Sequence, residues 1–528
     1  YFRGLNGQHM AGIDDIGGQV LPQQEKVTTT GITGDRDGRF YHYVLGKLAA
    51  SHAAIDPKKN GRSMCEIFGN YSWACGVRLE KYLVDHFLVR GINHYVPHAF
   101  SPKEYPDRDC PPHFYAGGNN PQYRHFGELM KYTNRVCELI SHGAHIAPVA
   151  ILYHGEGEWT GNCMLMQEPA EILADHQIEY DIIPQDVFND REYYHTTMGK
   201  RFSVNGQEYS VLIVPYMQYI TRSFAKAVKE LKEAGFPVFF LRDVPDGICN
   251  VKDHDKALIA ELESCQSVPL ERLMENLEKL DISDLKIVPA QENIRYHHYS
   301  WEGGSGLYIL VNEGRDSYVG KVYVKKKGYF YRYNAWDNKV EELDYTEGQN
   351  HTEICLTIEP LQSMLIVYEQ ESNGIGILEK PKVWEGERFI TNDNWMRSTC
   401  RSIEYPNFKN GKEVTLPDQL EKEKPKFSGY VRYEKNIELT EKNILLEITD
   451  AHEGVEVFVN DKSLGIQIVP PYRYDISEAV KKGQNNIKIE VATTLEREVG
   501  RKGFIALLSA PKVSAKSGIN GDVYFIQQ

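Results

Sequence analysis

Two hydrophobic periods alternate along the first 143 residues. Residues 9–16 (HMAGIDDI) form a short apolar run that ends in two acids, as a strand would. In RFYHYVLGKLAASHAAI, the apolar positions 40, 44, 45, 48 and 55 mostly share one helix face. Residues 63–68 are a second strand-like run, and Leu79, Tyr82, Leu83, Phe87 and Leu88 line a second helix. Gly91 stands just past its end, where a left-handed residue stops a helix. INHYVPHAF (92–100) is a third strand. The helix after it is predicted to take Asn120 as N-cap, Pro121 at its first position and Gly143 as its stop. Strand alternating with helix three times predicts a parallel sheet with crossover helices.

The pattern restarts at residue 146. APVAILYH, EYDIIPQDVF, YSVLIVP and PVFFL read as strands, with LMQEPAEILADHQ and TRSFAKAVKELKEAG as helices between them. That order predicts an open, doubly wound α/β domain. From about 290 the runs shorten and turn signals multiply: LYILVN, GKVYVKKK, YFYRYN, EICLTI and SMLIVYE predict a β-sandwich. ESNGIGILEKPK (371–382) reads as a linker. A second all-β module follows with SGYVRYEKNIEL, NILLEITD, GVEVFVND, NNIKIEVAT and DVYFIQQ, in which Asn460-Asp461 signals a hairpin. The expected organisation is therefore multidomain α/β plus all-β. It comprises part of a parallel (β/α)8 barrel over 1–145, a flavodoxin-like doubly wound domain over 146–288, and β-sandwiches over 289–371 and 372–528.

Composition narrows the class. A chain of 528 residues exceeds one core, since domains run to ~100–200 residues. The net charge of −14 argues against a nucleic-acid or anionic-membrane partner, and no apolar run approaches the ~20 residues of a membrane span. The nine cysteines are scattered without a C-x-x-C pair, and read as buried thiols rather than a disulfide framework or zinc site. The chain opens YFRGLNGQHM, with no basic-then-apolar leader pattern, and reads like the middle of a domain; the compartment, cytoplasm or periplasm, stays open.

All three early strands end in polar or charged residues: Asp14 and Asp15, then Glu66, then His98. The C-terminal rim of a parallel barrel is where chemistry sits. Glu66 on that rim reads either as a reactive carboxylate or as half of a structural ion pair. Only one of Asp14 and Asp15 can face a pocket, because neighbouring strand residues point to opposite faces. Tyr71, Trp73 and His98 suit contact with the C–H faces and hydroxyls of a sugar, and Trp73 equally suits helix-start packing. His94 reads as a core histidine, Asp107 and Asp109 as solvated loop charge, and Cys110 with His113 as too few ligands for a metal.

The C-terminal motifs FSGYVRYEKNIEL, GVEVFVNDKSLG and PYRYDISEAVKKGQNNIKIEV resemble the galactose-binding-like sandwich of family 2 glycoside hydrolases. The ending SGINGDV is similar to the tail of α-L-rhamnosidase-like enzymes. The Glu66 stretch, HYVPHAF and DCPPHF…NNPQ resemble the last part of their catalytic barrel, and the doubly wound domain resembles the one that follows it. The resemblance implies a bacterial glycosidase that removes terminal sugars from plant polysaccharide or a glycoconjugate. A β-galactosidase-like hydrolase is the near alternative. Counting back from the last barrel strand, the resemblance places Glu66 at the nucleophile or base position on the seventh strand. It also implies that the first five strand–helix units, with the general acid, lie outside these 528 residues, on an upstream segment or a separate polypeptide. Asp14 and Asp15 then suit sugar hydroxyls, or a bound cation such as calcium, better than proton donation. No organic cofactor is implied, and an oligomer is compatible with it.

Two rivals belong to other classes. One is a noncatalytic carbohydrate-binding or assembly protein. The other, an amidotransferase-like enzyme, needs a cysteine at a strand-to-helix turn, and neither YSVLIVP nor PVFFL is followed by one. The segment YHGEGEWTGN lacks the endings of a phosphate-binding loop, so nucleotide binding has little support there. Its Trp159 is placed to reach the pocket or a neighbouring subunit.

Overall fold

The computed structural model describes residues 1–30, 34–250, 255–371, 378–439, 443–500 and 516–528. Half of the predicted linker, residues 372–377, lies outside the described residues.

Three strands, β1 (Ala11–Ile16), β2 (Ser63–Gly69) and β3 (His94–Pro97), form a parallel sheet in the order β1-β2-β3. The crossovers run through α1 (Gly46–Ile55), preceded by wide π turns over Phe40–Leu45, and α2 (Val77–Leu88); α3 (Tyr123–Leu139) follows β3. The sequence expectation started the third helix at Pro121. The helix begins two residues later, because Asn120 closes a turn by accepting the Gln122 N–H at 3.0 Å. Gly91 ends its helix as expected, with φ +92°. The described residues form no closed barrel.

One face of this sheet is covered. Ala11, Ile13, Cys65 and Ile67 point into a core shared with Leu83, Phe87 and Leu129 of the helices. Helix α1 is buried on nearly all sides. Its Ala49 and Ala53 meet this core, while Leu48 and Ile55 meet the next one.

After a short β4 (Ala144–His145), a second parallel sheet contains β5 (Val149–Tyr153), β6 (Tyr180–Pro184), β7 (Val211–Val214), β8 (Val238–Leu241) and β9 (Gln266–Val268). The order β9-β8-β7-β5-β6 places its strands 2-1-3-4-5, the arrangement of flavodoxin-like sheets. Helices α4 (Gln167–Asp175) and α5 (Arg222–Glu233) serve as crossovers, and Thr221 caps α5 by accepting the Phe224 N–H. β5, β6, β7 and β8 are nearly continuous apolar runs because helices cover both faces.

The first sandwich pairs a four-stranded and a six-stranded antiparallel sheet. Two of its strands begin before the residue-289 boundary that the sequence suggested. β10 (Leu285–Val288) joins the four-stranded sheet, and β4 pairs with β11 (Ile294–Ser300) at the edge of the six-stranded one. β12 (Gly306–Asn312) is buried along its whole length. Tyr308 and Leu310 face the sandwich interior, and Leu307, Ile309 and Val311 face the core of the three-stranded unit. Glu313, just after β12, binds Arg90 at 2.7 Å and lies 2.8 Å from His86, which fastens α2 to the sandwich.

The C-terminal sandwich likewise has sheets of four and six strands around Trp395, Tyr433 and Tyr472. The predicted hairpin joins Val455–Val459 to Lys462–Gln467, with both Asn460 and Asp461 at positive φ, as a type I′ turn requires. Arg78 and Arg124 reach from α2 and α3 to Asp450 and Glu456, each at 2.7 Å. No helix among the described residues is long and apolar enough to cross a membrane. The cysteines are less uniformly buried than expected: Cys65, Cys75 and Cys400 are buried, whereas Cys355 is exposed.

Candidate active site

The uncovered face of the three-stranded sheet carries the chemistry. Asp14 and Glu66 are direct register partners on adjacent parallel strands. Their Cα atoms are therefore ~4.8 Å apart and their side chains share a face. Residues flanking them in the opposite phase, Ile13, Asp15, Cys65 and Ile67, are buried on the helix side. Asp14 is exposed and Glu66 half-buried, while Val96, the next partner across the sheet, is 50% exposed. His94 also lies on this face, partly exposed, with its Nδ1 2.7 Å from Asn93 Oδ1; it is not the core histidine that the sequence suggested. It pairs in parallel register with Met64 of β2.

His98 completes the group. Its backbone N–H donates to the Ile67 carbonyl at 2.9 Å, which holds it at the rim beyond β3. Partial desolvation and the neighbouring Glu66 charge raise the Asp14 carboxyl above the usual carboxylate range, and His98 opposes that rise. Three expected site residues thus converge: Asp14, Glu66 and His98. The imidazole Nδ1 of His98 is buried and has no hydrogen-bond partner among the described residues.

Three others do not converge there. Asp15 is 0% exposed and points away from the open face. The Tyr71 hydroxyl lies 2.8 and 2.9 Å from its two oxygens, accepts the Val20 N–H at 3.1 Å and donates to the Val20 carbonyl at 3.0 Å. Burial drives the Asp15 carboxyl up to about 8. Neither Asp15 nor Tyr71 is a sugar contact, contrary to the expectation: they brace the loop after β1 from behind. The Asp14 and Asp15 carboxyls occupy opposite faces of the sheet. Trp73 is buried too, edge-on to Tyr105 at 6.0 Å and to His113 at 5.4 Å, which is the packing alternative. The chain turns inward here because Phe68, Asn70 and Ser72 all adopt positive φ and fold residues 71–73 beneath the rim.

Sequence reasoning missed a cluster behind His98. Asp107 is not solvated loop charge. It accepts hydrogen bonds from the Ser101 hydroxyl at 2.6 Å and the Asp109 N–H at 3.0 Å, and lies 3.6 Å from His113 Nε2. Burial lowers the His113 imidazole pKa, opposed by Asp107. The double proline in DCPPHF was the available signal, because it fixes the loop that presents His113. A second cluster, His145, Glu179 and His297, has ligand atoms within 4.8 Å of one another. The Lys47 ammonium, 2.5 Å from the same Glu179 oxygen that meets His145, already supplies the positive charge, which makes this a buried ion-pair joint.

No family model matches the chain, and no curated protein matches it. Among solved structures, the chain is similar over 100% of its length to the rhamnosidase from Novosphingobium sp. PP1Y, at 17% identity and a TM-score of 0.70. It spans 52% of that enzyme. Seventy per cent of the chain also aligns with the β-galactosidase from Bacillus circulans sp. alkalophilus, at 10% identity and a TM-score of 0.47, over 61% of that enzyme. From end to end, then, the described architecture is α-L-rhamnosidase-like in fold, over about half of such an enzyme's length.

Proposed function

We propose that the chain is part of an α-L-rhamnosidase-like glycoside hydrolase that removes terminal sugars from a polysaccharide or glycoconjugate. Glu66 is its nucleophile or general base. The observation that carries this reading is the register pair Asp14–Glu66 on the open, rim-facing side of a parallel sheet, with His98 beside it. Glycosidic cleavage needs one carboxyl group to protonate the leaving oxygen and another to attack the anomeric carbon or to take a proton from water. Glu66 fills the second role. Asp14 and His98 hold sugar hydroxyls at the same rim. The first role falls to a carboxyl group on the remaining barrel strands, carried upstream or on a separate polypeptide that covers this face. The likeness to a rhamnosidase about twice as long supports that arrangement.

The test is hydrolysis of an aryl α-L-rhamnoside by the chain, and by the longer polypeptide that completes the barrel. Glu66→Gln should lower the rate of whichever form is active by about 10²–10⁴-fold. Activity that is indifferent to Glu66→Gln removes the assignment. A second reading, a noncatalytic carbohydrate-binding or assembly protein, is favoured by one observation: the described residues contribute three parallel strands and no closed barrel. Sugar binding without turnover in both forms would select it.

A further inference from the structure

A cleft of about 560 Å³ opens where the two β-sandwiches meet helices α2 and α3. It shares no lining residue with the Asp14–Glu66–His98 face. Its size falls within the ~300–1,000 Å³ typical of small-molecule sites. Trp336 lines it together with Ile468 and Pro471 of the C-terminal sandwich. The indole N–H of Trp336 donates to the Ile466 carbonyl at 3.0 Å, which ties the ring's edge and fixes its plane.

The floor is polar and already ordered. The Tyr132 hydroxyl donates to Asp85 at 2.7 Å and lies 2.8 Å from the Ser363 hydroxyl. Lys81 binds Asp85 and sits 4.4 Å over the Tyr132 ring. The rim guanidinium of Arg473 is held by Glu447 at 2.7 Å and Glu359 at 3.0 Å, and that of Arg332 lies 3.4 Å from Glu341. These cations each have an acid beside them, so the cleft offers oriented donors and acceptors with little net charge. A fixed aromatic plane beside neutralised forks and hydroxyls complements a ligand with apolar faces and polar edges. A pyranose ring is such a ligand.

We propose that this cleft is a second carbohydrate site, one that binds a neutral oligosaccharide without cleaving it. The ligand class rests on the glycosidase reading; the site rests on the cleft itself. In an assembled enzyme it would hold a branch of the substrate polymer while the rim works on another.

The experiment is equilibrium binding to the full chain carrying Glu66→Gln, which removes the proposed turnover. The probes are rhamnotriose, xylotriose and galactotriose, with digalacturonate as a charged control, followed by tryptophan fluorescence and calorimetry. At least one neutral trisaccharide is expected to bind saturably, and Trp336→Ala to weaken it about tenfold or more. Trp336→Phe, which keeps an aromatic plane, should retain most of the affinity, and a thermal midpoint and circular dichroism spectrum of Trp336→Ala that match the parent show that its loss is not unfolding. The inference is overturned if no neutral trisaccharide binds, if digalacturonate alone binds, or if Trp336→Ala binds as well as the parent. Failure of the glycosidase reading registers separately, as hydrolysis that Glu66→Gln leaves intact.

Discussion

Asp15 gives the sharpest test of the site's geometry. Its carboxyl group is sealed on the helix side of the sheet, and burial raises it from 3.8 to about 8. Between those two values the folded chain holds a proton that the unfolded chain has released. Folding stability therefore falls as pH rises through this window, is fully present below about 4, and levels off above about 8. Keeping the proton costs ~1.4 kcal/mol for every pH step above 3.8, which comes to about 4 kcal/mol at pH 7. Asp15→Asn keeps the shape and still meets the Tyr71 hydroxyl, but has no proton to lose. The variant should match the parent near pH 4 and become progressively more stable than it towards pH 8. Scanning calorimetry from pH 4 to pH 8 measures this as a widening gap in the transition that includes the three-stranded unit. A gap that stays constant across the range would mean that Asp15 is ionised in the fold, and the assignment of its face would be wrong.

Two further perturbations probe the scaffold. Lys47→Met leaves the buried Glu179 without its ammonium partner, with only His145 and His297 nearby, and should cost about 3–5 kcal/mol, read as a lower thermal midpoint. Gly91→Ala places a Cβ 2.9 Å from that of Ala50 at φ +92°, so it combines backbone strain with a clash against α1; a loss of about 1–3 kcal/mol in denaturant titration is expected, whereas a neutral result would contradict the left-handed stop of α2.

How far the sequence can be read varies with the physics of each segment. β5, β7 and β8 are legible because a strand covered on both faces is a plain apolar run. β11 is not: IRYHHYS looks polar, yet His297 and His298 are buried beside Glu179 and Asp284, and Glu179 lies far away in the chain. Glu66 can be placed on a strand from local pattern alone, although it falls mid-strand and not at the end, with Ile67, Phe68 and Gly69 still to follow. Period-two alternation shows that Asp14 and Asp15 diverge, but does not say which of them looks outward, because that depends on where α1 and α2 pack. Tyr71 and Trp73 mislead for a related reason. Three closely spaced left-handed residues carry them under the rim, and Phe68 and Ser72 are not residues that advertise positive φ. Trp336 carries no local signal, because its cleft exists only where two modules meet.

β12 shows why the modules resist separation. Leu307, Ile309 and Val311 belong to one core while Tyr308 and Leu310 belong to another. Cutting the chain at residue 289 would strip the outward-turned trio of its cover, at ~1.5–3 kcal/mol for each side chain. It would also take β10 and β4 from the sheets they complete. Expression of either piece alone should give sticky, poorly folded material. Neighbouring cores here hold a strand in common, so the smallest heritable unit of this region is the joined pair.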